Sequence, residues 1–297
     1  MDVQRLNSWE EFKDMVEQIK SDCARHDTGR LPLLFRGQED STWDLTTTLE
    51  RQREGAISFA DYYHIIERIK PQVESFTSRE WPIPAYYPTI FEMSTDYERL
   101  FNHLWAGPRP EYPYMAYLRH QGFPSPLLDW TRSAFVAAFF AFHKAAEQSE
   151  NHVSIYACTT ELPNKLHGND MPLVFRYGPY VNTDRRHFLQ QSEYTLCVRF
   201  YEQWKFEPYR TVFDPGLHQQ GFCWKFDIDA TERRKVLAEL NEYNLNAWSL
   251  FGSEESMMET LATKEFCLGV ETAPTKTSTP ETEGSQGRLR VRHLRPA

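Results

Sequence analysis

Nine apolar residues in a row, Ala134 to Phe142, constrain this chain more than any other stretch. A helix that is apolar on every side has no face to offer water, so it must be covered all round. Lipid cannot be the cover: the run falls short of the roughly 18 to 20 residues of a membrane span, and His143 and Lys144 follow it. Just before it, Pro124 and Pro126 hold the backbone extended ahead of Leu127-Leu128, which reads as a short buried strand. Between strand and helix stand Asp129, Trp130, Thr131, Arg132 and Ser133. Helix capping by Asp129 or Thr131 accounts for such a polar cluster. A helix N-terminus facing a cleft, which attracts anions such as phosphates, accounts for it equally.

The remaining chain has material to cover that helix. Of 297 residues, 40% are hydrophobic and 14% aromatic, enough for a sizeable core. The formal net charge of −9 argues against non-specific nucleic-acid binding, which needs a basic surface, but leaves room for a local basic pocket. Cys23, Cys158, Cys197, Cys223 and Cys267 are odd in number and scattered, without a Cys-x-x-Cys pair. With no signal-like N-terminus, that pattern implies reduced thiols, a soluble cytoplasmic protein and no zinc or other metal site.

Along the chain, Ser8-Trp9-Glu10-Glu11 is a capping box for an amphipathic helix to about Lys20, with Trp9, Phe12, Met15, Val16 and Ile19 on one face. Leu31 to Phe35 reads as a buried strand that delivers Arg36 to its end, where the arginine either closes a salt bridge or faces a cleft. Ser58 opens a helix carrying Tyr62, Ile65, Ile66 and Ile69, with Pro71 as a possible kink. The aromatic run Trp81 to Pro88 is either a lid or a packed connection. Two more helices occupy about Asp96 to Trp105 and the segment leading to Tyr117. Strands are expected at 153–158, 173–177, around 193–198 and at 222–228, helices at 231–240 and from Ser253, and a disordered tail over 271–297. Residues 1–270 therefore read as a single α+β domain with a helical N-terminal half and a mixed or antiparallel sheet. Arg185 to Ser192 reads as a loop, and Glu193 as a strand-edge residue.

Phe35-Arg36-Gly37-Gln38, Arg119-His120-Gln121-Gly122 with Leu127-Leu128-Asp129-Trp130-Thr131, and Gln190-Gln191-Ser192 together resemble the FRG domain family over roughly Leu6 to Leu268. Asn244-Leu245-Asn246 and Leu250-Phe251-Gly252 extend the likeness. Ser125-Pro126 stands where related sequences carry Thr-Arg, which removes a cationic group from that loop. A more distant similarity is to ADP-ribosyltransferases of the cholera-toxin type, since Arg36, then Thr131 and Ser133, then Gln191-Ser192-Glu193 fall in that family's order. This likeness implies NAD as a substrate, and the enzyme reading built on it, ADP-ribosyl transfer or NAD hydrolysis, expects Arg36, His120 and Glu193 in catalysis and Arg36, Gln38, Asp129, Thr131, Ser133, Gln190 and Gln191 in binding. An arginine would hold the pyrophosphate, and a carboxylate would steady the developing oxocarbenium ion. Two other classes compete: a binding module that grips a nucleotide, an RNA end or a protein without chemistry, and a buried network of Arg36, Asp129 and Gln190 that merely fixes the fold.

Overall fold

A computed structural model describes residues 1–25, 33–53, 55–83, 89–105, 110–145, 151–160, 171–178, 181–212 and 221–269. In chain order these form β1 (Asp2–Leu6), α1 (Trp9–Arg25), β2 (Leu34–Gln38), α2 (Thr48–Gln52), α3 (Phe59–Thr77), α4 (Thr89–Thr95), α5 (Tyr97–Trp105) and α6 (Glu111–His120). Then come β3 (Leu127–Thr131), α7 (Ala134–Phe142), β4 (His152–Thr160), β5 (Leu173–Tyr177), α8 (Arg185–Leu189), β6 (Ser192–Phe200), β7 (Trp204–Phe206), β8 (Gly221–Asp229), α9 (Arg233–Glu242), α10 (Ala247–Phe251) and α11 (Glu254–Ala262). The strands join one mixed sheet in the order β1-β8-β4-β2-β3-β6-β5, with β7 beside β6. β1 runs parallel to β8, and every other pair is antiparallel. The α+β class, the mixed sheet and the run of helices from α1 to α6 agree with the sequence.

Residues paired across a sheet point to the same side, so the register assigns the two faces. Phe35, Ala157, Ile155 and Phe226 face one side, where α1, α7 and α9 cover them through Trp9, Phe12, Ala137, Phe139, Val236 and Leu240. On the same side of the other half of the sheet, Leu127, Tyr194, Leu196 and Phe175 pack against α3, α5 and α6. The opposite face carries a smaller cluster around Leu34, Leu128, Trp130, Tyr156 and Tyr209. Thus the apolar α7 is roofed by α1, α9 and the sheet, as its composition demands.

The two halves meet weakly at β2 and β3, which share a single paired position among the described residues, Phe35↔Thr131. Past it the strands part. In place of the absent ladder bond, the Arg36 guanidinium crosses the gap, its Nη1 donating to the backbone oxygen of Asp129 at 2.9 Å.

Several local expectations are corrected. The first helix runs on to Arg25, and α3 continues through Pro71 to Thr77. α7 is capped by Ser133, whose Oγ accepts from Val136 N at 3.3 Å, not by Asp129 or Thr131. Arg185 to Leu189, read as loop, is a short helix capped by Asp184. β1 escaped notice because only Leu6 of that edge strand is buried, so it shows no apolar alternation. Cys158 and Cys223, expected to be free thiols, stand opposite each other in the β4–β8 register and are joined by a disulfide, their Cα atoms 4.1 Å apart. Spacing along the chain could not show it, since the register brings together residues 65 apart. Leu31 and Pro32, residues 84–88 of the aromatic run and the tail 271–297 lie outside the described residues. No helix among the described residues is long and apolar enough to cross a membrane.

Candidate functional site

Where β2 and β3 part, a cleft of about 740 Å³ opens, within the size range of small-molecule sites. Arg36, Gly37, Gln38 and Glu39 enter it from β2, Arg119 and His120 from the end of α6, and Asp129, Trp130 and Thr131 from β3. The segment after β2 adds Trp43, Asp44, Thr46 and Arg51, and Arg186, Gln190, Ser192, Phe140 and Phe251 complete the lining. Four arginines face three carboxylates there, a local cationic excess in a chain of net charge −9.

The charges are not equally engaged. Arg119 clamps Asp129 with two parallel bonds, Nε to Oδ1 at 2.8 Å and Nη2 to Oδ2 at 2.7 Å. Arg36 has one bond to backbone, and its Nε is buried without a partner. Burial holds the Arg36 pKa below its ordinary value, with Asp129 pulling it back up and Arg119 pushing it further down. Gln38 is equally incomplete: its Nε2 donates to Asp44 O at 3.2 Å, while Oε1 is buried and unmatched. His120 pairs its Nε2 with the Tyr194 hydroxyl at 2.6 Å and leaves Nδ1 buried without a partner. Burial lowers the His120 pKa, against opposing pulls from Asp129 and Asp184, so the ring is neutral at neutral pH. Three unmatched buried polar atoms on one cleft are costly unless something fills the cleft and binds them.

Of the residues singled out by sequence, Arg36, Gln38, His120, Asp129, Thr131 and Gln190 line this cleft. Thr131 and Gln190 mainly brace it. The Thr131 hydroxyl donates to Gln190 O at 2.7 Å and accepts from Ser133 N at 3.1 Å, and Gln190 Nε2 donates to Leu250 O at 3.1 Å, tying the turn to α10. Ser133, Gln191 and Glu193 are not among the lining residues. Ser133 is spent on the α7 cap. Gln191 adopts φ +49° in the tight turn before β6, its carbonyl accepting from Arg132 N. Glu193 is buried, gripped by Arg176 through Nε at 2.6 Å and flanked by Arg132 Nε at 3.5 Å. Arg51, Arg186, Glu39 and Trp43 were missed because nothing local marks them; only the parting of the strands brings them to one place. Arg119 and Phe251 had a signal, their positions in the Arg-His-Gln-Gly and Leu-Phe-Gly blocks. Among the described residues, no group of three or more His, Cys, Asp or Glu could hold a metal.

Compared with known families, residues 32–150 match the FRG domain. That span runs from the lead into β2 to beyond α7, so it contains Phe35-Arg36-Gly37 and the block from Arg119 to Thr131 and leaves Gln190-Gln191-Ser192 outside. No curated protein and no solved structure gives a significant match.

Proposed function

From a chain that carries an FRG domain over residues 32–150, we propose that the cleft between β2 and β3 binds a phosphate-bearing nucleotide, with NAD as the first ligand to test. The observation that carries this reading is the Arg36 Nε, buried and without a partner on a cleft that also holds Arg51, Arg119 and Arg186. A planar guanidinium fork with unused donors suits two phosphate oxygens, and dispersed arginines suit the rest of a pyrophosphate. Trp43, just over half exposed, and Phe251 offer π-faces for a base or a nicotinamide ring at the same cleft. Gln38 Oε1 and His120 Nδ1 supply the polar contacts that fix orientation in a mostly apolar pocket.

Binding without chemistry is the second reading, and one specific observation favours it. Glu193, the carboxylate that the resemblance to ADP-ribosyltransferases implies as catalytic, is engaged by Arg176 and Arg132 away from the cleft lining. The nucleotide reading stands with or without turnover. Calorimetric titration of NAD into the protein tests it, with Arg36→Lys and Arg36→Ala beside the wild type. Loss of one charge-assisted hydrogen bond is expected to weaken binding by roughly 10- to 100-fold in both variants, because a lysine point charge does not replace a fork. No NAD binding by the wild type, or wild-type affinity in a folded Arg36→Lys, rejects the reading.

A further inference from the structure

Resting on the NAD reading above, we infer that Glu39 is the catalytic carboxylate of this cleft, taking the proton of the attacking water as the bond between nicotinamide and ribose breaks. Three carboxylates line the cleft; one is engaged and one stands exposed. Asp129 is held by both nitrogens of the Arg119 fork, and Asp44 is exposed and solvated. Glu39 is half-buried and makes no hydrogen bond or ion pair with any described residue. A carboxylate without a direct hydrogen-bond or ion-pair partner in a partly apolar wall is costly to keep charged, and active sites are where such groups recur. Phe140 of α7 lines the same cleft, brought close by the packing of α7 against β2 at Gly37.

The groups around Glu39 set its role. Arg36, Arg51, Arg119 and Arg186 line the cleft, with His120, Asp44 and Asp129 as its other titratable groups, and Lys144 acts from beyond the C-terminal end of α7. Burial outweighs Lys144 and raises the Glu39 carboxyl above the ordinary glutamate value, the direction that makes a carboxylate a better base. The water oxygen bonds to C1′ of the nicotinamide ribose. The C1′–N bond breaks, its electron pair passes to the ring nitrogen and neutralises the pyridinium, and the water proton goes to Glu39 and then to solvent. NAD and water thereby give ADP-ribose, nicotinamide and one proton. An acceptor hydroxyl in place of water gives ADP-ribosylation by the same proton route.

The test follows nicotinamide release and NAD affinity together in the full chain. Glu39→Gln is expected to lose about 10² to 10⁴ in turnover while binding NAD within about threefold of wild type, and the acid limb of the wild-type pH profile should vanish with it. Glu39→Ala should regain part of its rate with added formate, a small carboxylate that occupies the vacated position. A merely structural role would give neither the rescue nor the lost limb. Wild-type binding without nicotinamide release, or release unaffected in Glu39→Gln, overturns the assignment and leaves nucleotide binding intact. Absence of NAD binding in the wild type removes both.

Discussion

A methyl group added at Gly37 would stand 2.0 Å from the carbonyl oxygen of Ala137 and 2.6 Å from the amide nitrogen of Ala141, both backbone atoms of α7. No side-chain rotation relieves a clash with backbone, so helix and strand would have to separate. The alternation of β2 explains the neighbours: Phe35 and Gly37 face α7, the first buried in its core and the second granting it contact, while Arg36 takes the other side and reaches across to β3. The three residues of the motif thus share one task, setting the strand against α7 so that the guanidinium spans the gap. Overpacking costs about 1–3 kcal/mol and more where backbone must yield. Gly37→Ala should therefore lose about 3 kcal/mol or more in urea unfolding, and the surviving folded protein should bind NAD less tightly because Arg36 is displaced. A loss under about 1 kcal/mol would mean that α7 and β2 are not held at this distance.

β6 lies between β3 and β5, and both of its faces are buried, the condition that sequence alternation misread. Glu193, Thr195 and Cys197 alternate with Tyr194, Leu196 and Val198, a pattern that suggests one wet face. Instead Thr195 is hydrogen-bonded to Trp130 Nε1 at 2.8 Å and to the Tyr209 hydroxyl at 2.6 Å, and Glu193 pairs with Arg176 inside the protein. Glu193→Gln, which a strand-edge position would tolerate, should then cost about 3–5 kcal/mol, since it removes the charge that faces the buried Arg176 guanidinium. Urea unfolding of Glu193→Gln beside the double variant Arg176→Met, Glu193→Leu checks this, with the double variant expected to be the more stable of the two. Equal stability of Glu193→Gln and wild type would show the pair to be dispensable. The same contrast explains what could be read in advance. α1, α3 and α7 announce themselves by an apolar stripe or an all-apolar run, and Arg36, His120 and Asp129 by ending or bordering apolar elements. Ser133, Gln191 and Glu193 carry the same residue chemistry but serve a helix cap, a positive-φ turn and an ion pair. Those roles depend on tertiary neighbours that the chain order does not reveal.

The whole molecule is two helix-covered half-sheets sharing a seam. α1, α7 and α9 lie over the β1-β8-β4-β2 half, and α3, α5 and α6 over the β3-β6-β5 half. Across the seam run the Phe35↔Thr131 pair and the Arg36 bond to Asp129, and cleft residues come from both sides, Gln38, Glu39 and Phe140 from one and Arg119, His120 and Ser192 from the other. A ligand in this position is bound by both halves and stabilises only the arrangement in which they are correctly set. Local openings that part the seam should therefore be suppressed by NAD, while fraying of β1 at the sheet edge should not. Amide hydrogen exchange reads this directly. With NAD in excess, protection should rise on both sides of the seam, over β2 and the facing turns of α7 as well as β3 and the end of α6, and Arg36→Ala should lose the effect on both sides at once. Protection confined to one half would place the ligand on a single wall of the cleft and separate Arg36 from its binding.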